Sequence, residues 1–110
     1  MVKTIEQEVR GVYERTLKRL VSLGFDAGVI GSHTGKKLRR CDCEARHVLV
    51  YMCGEYARQR GISFRDVANI IGCSHACVYA SHARVRQALK GDAYPFISFL
   101  MQRIRGGGRG

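Results

Sequence analysis

Residues 63–89, SFRDVANIIGCSHACVYASHARVRQAL, decide how this chain folds. Ser63 with Asp66 three positions on is a capping-box pattern, in which a hydroxyl receives one of the free amides of a helix start. Val67, Ala68 and Ile71 then fall on one side at helical spacing, which predicts a helix of only two turns. Gly72, Cys73 and Ser74 break it. A glycine there can take the positive φ that a tight turn needs, and Ser74 can cap a second helix running to about Leu89. Val78, His82, Val85 and Leu89 line one side of that second helix. Two helices joined by so short a turn need a small residue where their backbones approach, which Ala68 supplies. They also need an apolar anchor on the second helix, which Val78 supplies. Together these features make a helix-turn-helix pattern. An ordinary helical hairpin in a basic protein would share the turn, but not the agreement of spacing, capping and charge.

A helix-turn-helix presents the first residues of its second helix to the major groove of DNA, while its first helix crosses the backbone. The residues so displayed are Ser74, His75, Ala76, Tyr79 and Ala80. His75 can hydrogen-bond a base edge, and Ala76 suits apolar contact with a thymine methyl. His82 shares the inward stripe and reads as a packed, hydrogen-bonded histidine. Arg65, Arg84 and Arg86 are spaced to meet phosphates, which position a protein without specifying sequence.

Working outward, Thr4, Ile5, Glu6 and Gln7 form another capping box ahead of a helix carrying Ile5, Val9, Val12, Leu17, Leu20 and Val21, which Gly24 stops. Gly24, Gly28, Gly31 and Gly35, with Ser32 and Thr34, mark a loop over 24–35. It leads into the basic run Lys36, Lys37, Leu38, Arg39 and Arg40, which in isolation would be a solvated face and beside a helix-turn-helix becomes a phosphate or groove contact. From Glu44 to about Arg60, the positions Ala45, Val48, Leu49, Met52, Cys53 and Tyr56 form a helical stripe ended by Gly61. A last helix starts near Pro95, whose fixed φ suits a first helical position, and carries Phe96, Phe99, Leu100 and Ile104. No repeat and no strand-like alternation is present. The expected fold is therefore all-α: one compact helical domain of about five helices over residues 1–105, with a basic loop and a short flexible Gly/Arg tail at 106–110.

Composition agrees. A chain of 110 residues has room for one domain. Its 19 Lys and Arg against 9 Asp and Glu give a net charge of +10, which points to a polyanionic partner, nucleic acid first and an acidic membrane surface second. The longest apolar run, 48–53, is far short of the roughly 18 residues of a membrane span. The start of the chain leads into an amphipathic segment rather than a secretion signal, so the expected location is the cytoplasm. Five cysteines without framework spacing fit a reducing compartment. Cys41, Cys43 and His47 form a Cys-x-Cys-x3-His cluster, but structural zinc sites normally show two spaced ligand pairs. Cys53, Cys73 and Cys77 read as small core or helix-surface residues. No carboxylate pair, nucleophile with its base, or metal cage is spaced for chemistry, and the expectation is a binding protein without cofactor or catalytic site.

Two stretches carry a family resemblance. Ala45, Arg46, His47, Val48, Leu49, Val50, Tyr51 and Met52 resemble the Arg-Gln-Ile-Ala-Met-Tyr-Leu helix start of the C-terminal DNA-binding domain of DnaA, the bacterial chromosomal replication initiator. Ile71, Gly72, Cys73, Ser74, His75, Ala76, Cys77 and Val78 sit where that family has Gly-Arg-Asp-His-Thr-Thr-Val. The likeness covers most of the chain. It implies major-groove reading by Ser74, His75 and Ala76, backbone contact by Arg46, His47 and Cys77, and minor-groove contact near Arg39 and Arg40. The departures are chemical: Cys73 and Ser74 replace Arg-Asp, and Ala76 and Cys77 replace Thr-Thr. An aspartate that would accept from a cytosine amino group is thus lost. No phosphate-cradling Gly-x-x-x-x-Gly-Lys loop is present either, so this is not a full initiator. Residues 63–89 also resemble the promoter-reading part of bacterial sigma factors. The expected role is a stand-alone double-stranded DNA binder that regulates transcription or replication, its size suggesting a phage or mobile element. The alternative is an interaction module for a replication or transcription protein. The family binds DNA through a single copy, whereas many helix-turn-helix proteins pair, so the number of copies stays open.

Overall fold

Thr4 and Gln7 close a reciprocal box in the computed structural model of the chain: the Gln7 amide donates to Thr4 Oγ1 at 3.2 Å, and the Thr4 amide to Gln7 Oε1 at 3.0 Å. The structure describes residues 4–31, 39–91 and 93–106. From this box runs α1 (Ile5–Ser22), which buries Val9, Val12, Thr16 and Leu20 along one stripe. Within the stretch expected as loop there is instead a one-turn helix, α2 (Ala27–Ile30). Asp26 Oδ1 accepts the amides of Gly28 and Val29 at 2.8 and 3.2 Å, and the turn drives Ile30 fully into the core. A helix of four residues is too short to show periodicity, and Gly28 conceals it further.

The central element is α3 (Arg40–Gln59), flanked by the other five helices. It begins four residues before the expected Glu44, so Arg40 is helical rather than part of a loop. Arg39 offers no side-chain cap, and nothing apolar marks the first turn. Asp42 in that turn suits the positive end of the helix dipole. The rest of the chain forms α4 (Phe64–Ile71), α5 (His75–Leu89) and α6 (Pro95–Gly106). Among the described residues there are six helices and no strand, and no helix is long and apolar enough to cross a membrane.

Two apolar clusters hold these elements. One joins Leu20, Ile30, Ala45, Leu49, Val85, Leu100 and Ile104. The other lies beneath the α4–α5 pair and joins Val9, Val12, Val50, Cys53, Ala57, Val67, Ala68 and Val78. Val78 is completely buried, and such burial contributes about 1.5–3 kcal/mol. Gly54 marks the close approach, since a Cβ added there would sit 3.5 Å from both Phe64 and Val78. On α6 the buried side carries Ile97, Leu100, Met101 and Ile104, while Phe99 is 47% exposed. Leu100 and Ile104 lie on the expected stripe and Phe96 packs against it half-buried, but Ile97 and Met101 take the place expected for Phe99. Likewise Ala88 rather than Leu89 completes the inner face of α5.

Candidate nucleic-acid interface

The turn between α4 and α5 is made as its residues require. Gly72 adopts φ 79°, ψ 34°, a left-handed conformation that L side chains resist by about 1–2 kcal/mol. The amides of Gly72 and Cys73 both return to the Ala68 carbonyl, at 2.9 and 3.0 Å. Ser63 Oγ caps α4 by accepting the Asp66 amide at 3.2 Å, and Ser74 Oγ caps α5 by accepting the Cys77 amide at 3.1 Å. Val78 pins α5 to the core from its inner side. Ser74, His75, Ala76, Tyr79 and Ala80 are all exposed at the start of α5. Ala76, Ala80 and Ala83 follow one another along its outer face, all exposed, so the backbone there is shielded by methyl groups only.

A chain of rings supports one edge of this surface. Tyr51 lies 5.1 Å from His82, His82 5.1 Å from Phe64, Phe64 5.0 Å from Tyr79, and Tyr79 4.7 Å from His75. His75 is therefore held by an edge-on contact to a tyrosine that is itself braced on α4. Edge-to-face pairs of this kind contribute about 0.5–1.5 kcal/mol beyond area burial. His82 matches its expected role: it is 8% exposed, and its Nε2–H donates to Glu55 Oε2 at 3.0 Å. Arg58, reaching the same carboxylate at 2.6 Å, is the main reason that the Glu55 carboxyl is held down to about 2, with the His82 hydrogen bond adding to it.

Arg65 and Arg86 stand exposed on α4 and α5, where a phosphate can reach them. Four other expected contact residues are placed differently. Arg46 spends two donors on α2, with Nε to the Ile30 carbonyl and Nη2 to the Val29 carbonyl, both at 3.1 Å. Arg84 donates to His47 Nε2 at 3.3 Å, and its guanidinium lies 5.2 Å from the Tyr94 ring centroid. His47 also bonds Ser81 Oγ through Nδ1 at 2.8 Å. Burial, with Arg84 and Arg46 nearby, holds His47 down to about 4, so at neutral pH it is uncharged. Because Arg84 can only donate, Nε2 is the acceptor and Nδ1 carries the proton. Cys77 is half-buried beside Cys73 and Ser81. Arg46 thereby braces α2 on α3, and His47 with Arg84 braces α5 on α3. Such pairings span 16 to 37 positions, and nothing local in the chain announces them. Ser81 and Tyr94, which complete them, were missed for the same reason.

Arg39 and Arg40 project at the start of α3, their side chains 81% and 87% exposed. Both are already paired, Arg39 to Asp42 at 3.1 Å and Arg40 to Glu44 at 3.4 Å. The two acids are nearly buried, which was not expected, and they offset part of the positive charge that the two arginines display. Lys36 and Lys37 lie outside the described residues, as does His33. Among the described residues no group of three His, Cys, Asp or Glu is arranged to hold a metal ion, and the ring nitrogens of His47 are engaged away from Cys41 and Cys43. No family model, curated protein or solved structure matches this chain.

Proposed function

We propose that this protein binds double-stranded DNA, inserting the start of α5 into the major groove and seating Arg65 and Arg86 on phosphates. It acts in the cytoplasm as a regulator of transcription or replication, by binding and not by catalysis, in the manner of an initiator's DNA-binding domain. The observation that carries this reading is the exposed first turn of α5, with Ser74, His75, Ala76, Tyr79 and Ala80 turned to solvent on a chain of net charge +10. Small exposed residues let a helix lie deep against base edges, and His75 and Ser74 supply the hydrogen-bonding groups. Arg39 and Arg40 contribute at the flank, sharing their charge between phosphate and the carboxylates of Asp42 and Glu44. Arg46 serves by holding α2 on α3, and His47 with Arg84 by holding α5 in place.

The test is a binding selection from a random duplex pool at near-physiological salt, followed by mobility-shift titration of the enriched sequence. Enrichment of one motif is expected, with affinity falling steeply as salt rises. A symmetric motif would signal two copies of the chain, and a single short one would signal one. Sequence-indifferent, salt-insensitive binding would refute the proposal and turn attention to a protein partner.

A further inference from the structure

Away from the α4–α5 surface, helices α1, α3 and α6 enclose a cleft of about 340 Å³ to which α4 and α5 contribute no described residue. Its floor is apolar. Val12 and Ile104 are nearly buried there and Met52 is half-buried; a methionine thioether adapts to an irregular neighbour and favours the edge of an aromatic ring. Over this floor stand Arg15 and Arg19 from α1 and Arg105 from α6. Arg19 Nη1 donates to the Ile104 carbonyl at 2.7 Å, which clasps α1 to α6 and fixes one end of the cleft. Arg15 and Arg105 are exposed and make no hydrogen bond or ion pair among the described residues.

The nearby acids do not satisfy these arginines. Glu55, which lines the cleft, already binds Arg58 at 2.6 Å and His82 at 3.0 Å. Glu8, the partner of the Tyr56 hydroxyl, is also paired with Arg60 at 3.0 Å. Thr16 lines the cleft as well. It is 3% exposed, and among the described residues its hydroxyl has no hydrogen-bond partner. Buried hydroxyls are nearly always hydrogen-bonded, so an unpaired one beside unpaired guanidiniums points to a bound acceptor.

We propose that this cleft binds a small phosphate monoester with a flat, mainly apolar body, the phosphate held by Arg15, Arg19 and Arg105 and the body laid on Val12, Met52 and Ile104. A guanidinium fork meets phosphate oxygens two at a time. Positive charges from three arginines, none with an acid of its own, suit a dianion better than a single carboxylate, and a phosphate monoester is close to one at neutral pH. The volume lies at the lower end of the range of about 300–1,000 Å³ for ligand sites, which fits a body of one or two rings and not a dinucleotide. The site shares no residue with the proposed DNA surface and stands or falls apart from it.

The experiment follows the backbone amides of the full chain by NMR as phenyl phosphate is added, at about pH 7.5 and ~0.15 M salt, where exposed charges are screened. Inorganic phosphate and phenol, the two halves of the probe, are titrated separately. Saturable shifts confined to 12–19, 52–59 and 104–105 are expected for phenyl phosphate, with either half binding at least about tenfold more weakly. Tighter binding of adenosine 5′-monophosphate than of phenyl phosphate would assign a nucleotide as the occupant, and the reverse order a non-nucleotide ester. Arg15→Gln combined with Arg105→Gln should weaken phenyl phosphate about tenfold or more and leave the melting temperature of the free protein unchanged, since both side chains are exposed. Thr16→Val keeps the shape and removes the hydroxyl, so it should weaken binding severalfold while the free protein melts no lower. Shifts that never saturate would overturn the proposal, as would inorganic phosphate matching phenyl phosphate or full affinity in the arginine variant. So would a Thr16→Val chain that melts lower yet binds as before, or a short DNA duplex that moves the same amides and displaces the probe.

Discussion

His47 gives the sharpest test of how α5 is held. In the folded chain it is uncharged down to about pH 4, whereas in an unfolded chain it takes up a proton near pH 6.5. Between these values the unfolded state binds the extra proton, so stability falls as pH falls from about 6.5 toward 4. Full expression of that difference would amount to about 3 kcal/mol. Solvent still reaches part of the ring, and screening brings the expected loss to ~1–2 kcal/mol. The comparison is with His47→Gln, which keeps a donor and an acceptor but does not titrate. Urea unfolding followed by circular dichroism, at pH steps from about 7.5 to about 4.5, should show the native protein losing ~1–2 kcal/mol more than the variant. Subtracting the variant removes the carboxylates, including Glu55, whose own contribution is lost only as pH falls toward about 2. Parallel curves for the two proteins would falsify the assignment of a neutral His47 accepting from Arg84.

Other substitutions test the scaffold and the surface separately. Gly54→Ala should stabilise by about 0.5–1 kcal/mol in thermal melts, because its methyl meets Phe64 and Val78 at ordinary contact distance and relieves a mid-helix glycine. Gly72→Ala should cost about 1–2 kcal/mol, since its φ of 79° forbids an easy fit; an unchanged melting temperature would contradict the turn. Arg65→Ala should weaken binding to every duplex and lower the salt slope by about one, measured by mobility shift at several salt concentrations. Ala76→Asp should change which bases are preferred, by about 1–3 kcal/mol at the affected position, and an unaltered selected motif would remove α5 from the groove. Arg39→Ala combined with Arg40→Ala should flatten the salt dependence by roughly one to two, and by less than two where Asp42 and Glu44 already neutralise part of the pair.

The helix-turn-helix was legible because its determinants are local. Thr4, Ser63 and Ser74 each stand directly before a helix start and announce it, and Gly72 announces the turn. Where a boundary rests on distant contacts, the chain gives no such notice. The start of α3 has no capping side chain at Arg39, and Asp42 and Glu44 look like surface acids until the fold covers them. On α6, Leu100 and Ile104 were expected in the core and are there, but Phe99 turns outward and Ile97 and Met101 fill the rest of the stripe. The exposed residues at the head of α5 were readable from the cap and the helical period. That Arg46, His47 and Arg84 turn inward was not, because each finds its partner on another helix.

The alanines at 76, 80 and 83 carry an evolutionary consequence. On the buried side of a helix a new side chain must displace a neighbour, but these three alanines are exposed. Replacing any one of them would add a new chemical group without disturbing the fold. His75 and Tyr79, tied into the ring series, offer no such freedom. On the proposed reading, a lineage carrying this domain could thus change its DNA targets through three nearly costless positions while the supporting edge stays fixed.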